Sequence, residues 1–420
     1  MGPVWQLSAL GLLAAFVSAD LSLFQQRAFV MPERIYSHCF HWGTNKSPKL
    51  HSLSAGSTSV GPSHTLEALI EGADSFKSEF DLRTLDPEGV LFSGDTDEGD
   101  NWFVLALRGG HPEIQISNKY CNITVQSGDQ LSDGHWRRIK VTSTKNSIQL
   151  LVNQQPSLSI TILPSVGLEG SMVKIRIAVG NLLFNESKLL MPVKQRLDAC
   201  ISNWDWLQQN TSWLDKKVSS NPNIQCPTSI MSGTFFQGLG MAVFKTSGFW
   251  NVSESLEEWV LRFEGVIRPT KHSGMVLAVL SESYSRLLQL DFVRKDMTEV
   301  FRLSLGGTEL VEFPGPSQLC QGQPLSLTVS GEEATLAIGD QLQSQPLGPG
   351  LFASLHNAWF HTDALIFFGG LPALESMGYN WSYYQGCMQG LKLQEQPVDF
   401  NRAYFADESI STHSCPSPVA

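Results

Sequence analysis

An internal repeat constrains the fold of this 420-residue chain more than any other feature. Four pairs of similar positions in the two halves are 185, 189, 187 and 189 residues apart. They are Gly89 and Gly274, Gly180 and Gly369, Cys200 and Cys387, and Cys226 and Cys415. A period of this length is far too long for a solenoid repeat. It indicates a duplicated domain, and the same spacing predicts one disulfide at the end of each copy, Cys200 with Cys226 and Cys387 with Cys415.

Each half has the pattern of an antiparallel β-sandwich. Short runs rich in branched and aromatic residues alternate with polar residues, for example at 102–107, 113–116, 147–152 and 174–177. Turn signals such as Asp86-Pro87-Glu88-Gly89 separate these runs. We therefore predict an all-β protein made of two tandem sandwich domains of the jelly-roll type. A short helical turn is expected at residues 202–207.

The N-terminus has the pattern of a secretory signal peptide. Residues 7–17 are apolar, and Val17-Ser18-Ala19 is a small-x-small cleavage site. This stretch is too short to span a bilayer, and no later run reaches the ~18 apolar residues that a membrane helix needs. The remaining chain is too long for one core. The predicted division is a signal peptide at 1–19, an irregular segment at 20–63, domains at 64–226 and 227–415, and a tail at 416–420.

Glycosylation and disulfide signals agree with secretion. Six N-x-S/T sequons are predicted surface acceptor sites, at Asn45, Asn122, Asn185, Asn210, Asn251 and Asn380. The chain has seven cysteines, and the oxidising secretory pathway favours disulfides. Because seven is odd, at least one thiol is free or bonded to another chain. We therefore predict a secreted, extracellular, disulfide-bonded glycoprotein.

Charge and motifs favour a binding protein over other classes. The formal net charge of −11 argues against a nucleic-acid partner, which needs a basic surface. The histidines are scattered, and G-x-S-x-G, H-E-x-x-H, C-x-x-C and phosphate-loop motifs are absent. We expect no catalysis and no membrane span.

Several segments resemble known domains. Residues 83–95, 133–136 and 177–183 resemble the strands of a laminin G-like domain, and so does the approach to Cys200 at 197–200. A signal peptide followed almost directly by two such domains, with the ending at 412–416, resembles the sex hormone-binding globulin family. This resemblance implies a transport protein that holds a steroid hormone, an androgen or estrogen, between the two sheets of its first domain.

The resemblance also implies the steroid-binding residues. They are Ser78, Asn101, Phe103, Asn118, Val141 and Ile175. Alternate residues of a strand share a face, and each of these positions has the parity of the apolar, core-facing side. Three of them are polar, which fits a flat apolar ligand with a polar group at each end. The alternative is that each polar side chain bonds a neighbouring backbone group at a strand end.

Asn101 departs from the family, which has an aspartate at this position. A carboxylate only accepts hydrogen bonds and so selects a hydroxyl on the ligand, whereas an amide both donates and accepts. We expect this protein to discriminate less sharply between a 17-hydroxyl and a 17-ketone.

The resemblance implies no required cofactor, but it offers a possible structural calcium site. Asp86 and Glu88 match the carboxylates of the family's calcium site. A solvated turn in which Asp86 caps backbone amides is an equally good interpretation. Cys39 is expected to bond Cys121 or Cys320, or to be a free thiol.

Two further expectations concern partners. The family pairs its first domains edge to edge, which implies a homodimer with Val125 and Leu158 near its interface. The rival function is a pair of laminin G-like domains that binds proteins or glycans, as an adhesion protein or receptor ligand, and holds no steroid. Fold alone does not separate the two functions, because function depends on the site.

Overall fold

A computed structural model describes sixteen segments of the chain. They are residues 39–40, 50–53, 57–58, 61–62, 65–71, 77–96, 101–118, 120–144, 147–161, 172–208, 226–250, 255–295, 298–315, 320–362, 364–372 and 383–418. The predicted signal peptide lies outside them. The described residues form two compact units, which we name the N-terminal unit (37–235 with 411–420) and the C-terminal unit (236–410). The predicted boundaries differ most at the C-terminus, because residues from 411 onward belong to the N-terminal unit.

Short strands make up almost all of the N-terminal unit. They are Leu50–Ser52 (β1), Ser57–Thr58 (β2), Gly61–Pro62 (β3), Thr65–Glu71 (β4), Lys77–Thr84 (β5), Gly89–Thr96 (β6), Asn101–Arg108 (β7), His111–Ser117 (β8), Asn122–Gln126 (β9), Arg137–Thr144 (β10), Ser147–Val152 (β11), Gln155–Thr161 (β12), Met172–Val179 (β13), Ala199–Asp205 (β14) and Ile230–Ser232 (β15). Sheet A has the order β1-β14-β5-β10-β11-β12, and sheet B has the order β4-β13-β6-β7-β8-β9. The strand pairs of both sheets are antiparallel.

The C-terminal unit adds one helix to the same kind of sandwich. Its elements are Thr234–Gln237 (β16), Ala242–Lys245 (β17), Leu261–Pro269 (β18), Gly274–Leu280 (β19), Arg286–Lys295 (β20), Thr298–Leu305 (β21), Thr308–Pro314 (β22), Gln323–Val329 (β23), Glu333–Ile338 (β24), Gln341–Pro346 (β25), Pro349–His361 (α1), Leu365–Phe368 (β26), Gln385–Leu393 (β27), Gln396–Pro397 (β28), Phe405–Ala406 (β29) and Ile410–Ser411 (β30). Ser414–Pro416 (β31) pairs with β15 of the N-terminal unit.

The strand orders of the two units confirm the repeat. Sheet C of the C-terminal unit, β25-β24-β23-β18-β27-β16-β30, follows the order of sheet A, and sheet D, β22-β21-β20-β19-β26-β17-β29, follows that of sheet B. Gly180 and Gly369 end equivalent strands with positive φ angles of 73° and 82°, a conformation that favours glycine. Cys200 and Cys387 lie in the equivalent strands β14 and β27.

The alternating pattern of the sequence places one face of each strand in the core. Along β11, for example, Ile148, Leu150 and Val152 are buried while the residues between them are more exposed. Sheets A and B pack face to face through a cluster that includes Phe80, from β5, and Phe92, from β6. This layer between the sheets is where the predicted ligand residues lie.

The outer face of sheet B is also covered, which corrects one expectation. Glu113 and Gln115 lie on the outward face of β8, where strand alternation alone predicts exposed polar side chains. Both are buried, because residues of the segment 181–194 pack over this face. Gln115 binds the main chain of that segment at Leu190 and Met191. A covering segment from a distant part of the chain is invisible to strand periodicity.

Three features of local structure differ from what the sequence predicts. Residues 202–207 do not form a helical turn, because 199–205 is strand β14 and the turn follows at 206–208. Helix α1 was not expected, although Phe352, Leu355 and Trp359 have the spacing of one helical face and are buried. The segment 20–63 was expected to be irregular, yet Leu50–Ser52 joins sheet A beside β14.

Six of the seven cysteines are bonded. Cys200 is linked to Cys226, as predicted. Cys39, Cys320, Cys387 and Cys415 are also disulfide-bonded, and the Cys387–Cys415 pairing stays a prediction. Cys121 is a free thiol. None of the described helices is long and apolar enough to cross a membrane.

Candidate ligand-binding site

The predicted steroid-binding residues come from both facing sheets. Ser78 on β5 and Val141 on β10 are direct neighbours in sheet A. In sheet B, Ile175 and Asn101 flank the same residue, Thr96 of β6. The structure therefore places them in two groups, one on each side of the layer between the sheets.

Aromatic rings fill the middle of this layer. Trp206 packs against Phe80 of sheet A at 5.1 Å between ring centroids and against Phe92 of sheet B at 5.6 Å. Phe92 in turn contacts Phe103 at 5.6 Å. Phe103 thus belongs to a continuous aromatic cluster. Trp206 follows strand β14 directly, and the sequence analysis did not select it, because a tryptophan in a core carries no specific ligand signal.

Burial decreases along the inward face of β7 towards Asn101. Leu105 is only 2% exposed, and Leu107 is fully buried. Phe103 and Asn101 share their face, yet both are partly exposed. These four residues lie on the same side of the strand. The increase in exposure along it therefore shows how far each residue lies from the centre of the layer between the sheets. The layer is accessible at the Asn101 end of β7.

A glycine allows Phe103 to lie across sheet B. Gly94 is opposite Phe103 in the β6–β7 pair. A Cβ atom on Gly94 would lie 2.2 Å from Cε1 of the Phe103 ring, which no real structure tolerates. The absence of a side chain at position 94 therefore sets the place of this aromatic wall.

Ser78 is buried and partly engaged by the protein. Its Oγ accepts a hydrogen bond from the backbone N–H of Leu207 at 3.0 Å. A serine hydroxyl that accepts one bond keeps its proton for another acceptor. The Oγ of Ser78 therefore bonds a backbone group, which is the alternative that the sequence left open. Its hydroxyl proton is still available to donate to a ligand.

Asn118 caps the turn after β8. Its Oδ1 accepts hydrogen bonds from the backbone N–H groups of Tyr120, at 2.8 Å, and Cys121, at 2.9 Å. The side-chain oxygen is therefore occupied by the turn, and the amide nitrogen of Asn118 is the group that can donate to a ligand. Asn101 donates from Nδ2 to Thr96 Oγ1 at 3.3 Å.

A further donor lies in the same layer. The indole N–H of Trp206 is buried and has no acceptor among the residues that the structure describes. Leaving a buried donor unpaired costs about 1–3 kcal/mol. Trp206 joins Ser78 and Asn118 as a donor near the aromatic cluster, so the arrangement suits an apolar ligand that carries acceptor oxygens.

The two predicted calcium carboxylates are engaged by other groups of the protein. Asp86 is fully buried, and its two oxygens accept backbone N–H groups of Glu88, at 3.1 Å, and Asp198, at 3.0 Å. The Glu88 carboxylate lies 3.9 Å from Arg108. The described residues contain no cluster of three or more metal-binding side chains. The capping interpretation describes Asp86.

Asp198, which the sequence analysis did not select, holds the C-terminal segment. Its carboxylate accepts hydrogen bonds from the Ser411 hydroxyl at 2.7 Å and from the backbone N–H groups of His413 and Ser414 at 2.8 and 2.9 Å. Burial raises the pKa of Asp198 above its ordinary value. The only feature of the sequence that could have indicated a role for Asp198 is its position two residues before Cys200, which recurs in the second half as Cys387.

Two of the sequons can be located. Asn122, at the start of β9, and Asn185 are exposed, as glycan attachment requires. The other four, Asn45, Asn210, Asn251 and Asn380, lie outside the described residues. Val125 and Leu158, the residues expected near a dimer interface, lie on β9 and β12, which are edge strands of sheets B and A.

Comparison with known proteins agrees with this architecture. The family model of the laminin G domain matches residues 82–212, and a second laminin G model matches residues 267–396. The solved structure of domains LG4-5 of the mouse laminin alpha1 chain has a TM-score of 0.59 and 19% identity, covering 93% of this chain and 100% of that one. The fold is therefore a tandem pair of laminin G domains.

Curated relatives extend over both units. Sex hormone-binding globulin from Oryctolagus cuniculus is 31% identical over 340 residues, which are 81% of each chain. The protein of the same name from Homo sapiens is 32% identical over 344 residues, 81% of this chain and 80% of that one. With this identity over most of both lengths, the chain belongs to the sex hormone-binding globulin family of tandem laminin G proteins.

Proposed function

We propose that this protein binds a steroid between sheets A and B of its N-terminal unit and transports it as a secreted glycoprotein. The observation that carries the proposal is the inward face of β7, which is apolar at Leu107, Leu105 and Phe103 and becomes more exposed towards the polar Asn101. An apolar strand face that becomes accessible at one end suits contact with a flat apolar ligand. Membership of a family whose relatives are named for binding sex hormones supports the same ligand class.

Apolar contact would supply most of the affinity. A steroid buries on the order of 400 Å² of apolar surface, which at ~25 cal/mol per Å² is worth roughly 10 kcal/mol. That corresponds to a dissociation constant of roughly tens of nanomolar before the costs of immobilising the ligand. Each hydrogen bond adds about 1 kcal/mol, so the polar residues contribute more to selectivity among steroids than to overall affinity.

The available polar groups favour acceptor oxygens on the ligand. Ser78 offers a hydroxyl proton and Asn118 an amide N–H, because their own oxygens are engaged by backbone N–H groups. A ketone oxygen only accepts hydrogen bonds, so it matches these donors at either end. We therefore expect steroids with ketone groups, as well as hydroxyls, among the ligands.

Equilibrium binding of tritiated dihydrotestosterone, androstenedione and estradiol to the secreted protein tests the proposal. The sharpest variant is Asn118→Asp, because the aspartate keeps the oxygen that caps the turn and loses the N–H donor. Asn153→Asp is the matched control, since Asn153 caps the backbone N–H of Arg138 in the same way.

We expect saturable nanomolar binding that Asn118→Asp weakens by about tenfold, the value of one to two lost hydrogen bonds. Asn153→Asp should bind like the unmodified protein. Absence of saturable binding at micromolar steroid, from protein with a normal thermal transition, would overturn the proposal.

The local bonds of Ser78 and Asn118 favour a second candidate function. A sandwich that holds no ligand also needs these side chains to satisfy backbone N–H groups, so the same contacts suit a laminin G pair that binds proteins or glycans. Failure of all three steroids to bind would make this second function the better one. An edge-to-edge homodimer is proposed in both cases, and sedimentation of the purified protein tests it.

A further inference from the structure

The outer face of sheet D in the C-terminal unit contains a cleft of about 340 Å³. It lies on β19 to β22, on the opposite side of the sheet from the hydrophobic core. Its volume falls within the range of small-molecule sites, which begins near 300 Å³. Its polar lining includes Arg286, Gln289, Asp291, Arg302, Ser304 and Glu309.

The floor of the cleft is a rigid polar network around Asp291. This aspartate is only 2% exposed. Arg302 donates to it twice, from Nε at 3.1 Å and from Nη2 at 2.6 Å, and Gln289 donates from Nε2 at 2.6 Å. Because all three side chains are fixed by one another, little conformational entropy is lost when a ligand binds.

Arg302 is oriented to bind a second partner. A guanidinium has five N–H groups in a planar fork, and Asp291 occupies two of them. The Arg302 side chain is 31% exposed and lines the cleft, so it has N–H groups that a ligand there can reach. Its hydrogen bonds to Asp291 raise the pKa of the guanidinium, which therefore stays charged. Such a fork recognises paired oxygen atoms.

Donors and acceptors alternate across the strands of the cleft. Ser304 lies opposite Gln289 on one side and Glu309 on the other. This row presents a carboxamide, a hydroxyl and a carboxylate beside the guanidinium of Arg302. Half-buried Leu287 adds apolar surface. A ligand that matches this row has many groups that both donate and accept.

The charges of the cleft balance. Among the described residues that line it, Arg286 and Arg302 carry positive charges, and Asp291 and Glu309 carry negative ones, so their formal sum is zero. An anionic ligand would meet the exposed Glu309, and a cationic ligand would meet the exposed fork of Arg302. We propose that this cleft is a binding site for a neutral saccharide, whose hydroxyl groups donate and accept in turn and whose ring carbons meet the apolar wall.

An array of immobilised neutral oligosaccharides, with sialylated and sulfated counterparts, tests the proposal with the full-length protein. Titration calorimetry with the best neutral sugar then compares variants. Arg302→Lys keeps the charge opposite Asp291 and removes the fork, and Glu309→Gln removes a charged acceptor at the exposed rim. Glu333→Gln, at an exposed position of β24 in sheet C, is the matched control.

We expect neutral sugars to bind, and Arg302→Lys and Glu309→Gln each to weaken binding by about tenfold, as loss of one to two hydrogen bonds implies. Glu333→Gln should leave binding unchanged. Thermal unfolding of each variant confirms that it is folded. The proposal is overturned by an array without neutral ligands, by a consistent preference for charged sugars, or by binding that neither cleft variant alters.

Discussion

At the scale of single residues, Asn101 shows why the direction of a hydrogen bond matters. It lies at the accessible end of the layer between the sheets, at a position where the resemblance of the sequence implies an aspartate. Its amide donates to Thr96 at 3.3 Å, which a carboxylate could not do. The chemistry of this one position therefore bears on which ligand oxygens are accepted.

Asn101→Asp should restore preference for a hydroxyl at the far end of the ligand. We expect the ratio of affinities for dihydrotestosterone and androstenedione to shift by about tenfold towards the hydroxyl steroid, the value of one hydrogen bond gained and one lost. Competition binding measures this ratio directly. An unchanged ratio would refute a role of Asn101 in ligand choice.

Gly94→Ala should weaken steroid binding by displacing the Phe103 ring. The new Cβ would lie 2.2 Å from that ring, so the aromatic wall must move, at a cost of about 1–3 kcal/mol in folding stability. We expect an affinity loss of about tenfold in the same binding assay. Gly248→Ala is the control, because a Cβ at Gly248 meets no atom within 4 Å. Equal affinity in both variants would contradict the assignment of Phe103 as a ligand wall.

Sequence periodicity predicts which face of a strand a residue occupies, but not what that residue binds. Val141 and Ile175 are buried on the inward face, as their parity indicates. The parity of Asn118 could not show that its oxygen caps a turn, because a cap depends on the backbone conformation of residues 120 and 121. The donor character of the site therefore became evident only from the structure.

At the scale of elements, the strand pattern predicts the sandwich, but it does not predict the segment that covers the outer face of sheet B. The runs at 102–107 and 147–152 are strands β7 and β11. Local alternation encodes such strands, since their period of two depends only on adjacent residues. The segment 181–194 has no regular period, and it is fixed over sheet B by contacts with residues more than 70 positions away. Sequence pattern alone has no means to reveal this contact.

Gln115→Leu should destabilise the N-terminal unit. Gln115 binds the main chain of the covering segment at Leu190 and Met191 through three hydrogen bonds. Losing these bonds leaves buried polar groups unpaired, so we expect a loss of about 3 kcal/mol and a decrease in Tm of roughly 6–10 °C. Gln126→Leu, which removes one exposed hydrogen bond to Arg108, should change Tm by less than about 2 °C. Similar Tm values for the two variants would contradict a stabilising role of the covering segment.

At the scale of the whole molecule, the duplication could be predicted from the sequence, but the unit to which the C-terminal segment belongs could not. The repeat was predictable because two glycines and two cysteines recur at nearly constant spacing, and both units have the same strand order. The assignment of residues 411–418 to the N-terminal unit was not predictable, because it breaks the symmetry of the repeat. It depends on β31 pairing with β15 and on the buried carboxylate of Asp198.

Asp198→Ala should release the C-terminal segment. Three hydrogen bonds from Ser411, His413 and Ser414 would lose their acceptor, at a cost of about 3 kcal/mol. Limited proteolysis should cut the variant near residue 413 faster than the unmodified protein, with mass spectrometry locating the cut. Asp129→Ala, in an exposed loop, is the control. Equal cleavage rates would show that the other contacts suffice to hold the segment.

The return of β31 to β15 has a consequence for synthesis of the chain on the ribosome. Domains usually fold as they emerge, with the N-terminal one first. Here the N-terminal unit lacks strand β31 and the partners of Asp198 until residues 411–416 have been translated. The unit that is made first is therefore completed last. A ribosome stalled before residue 411 would hold the proposed steroid-binding unit in an unfinished form, so the native state of that unit requires a segment that is translated after the whole C-terminal unit.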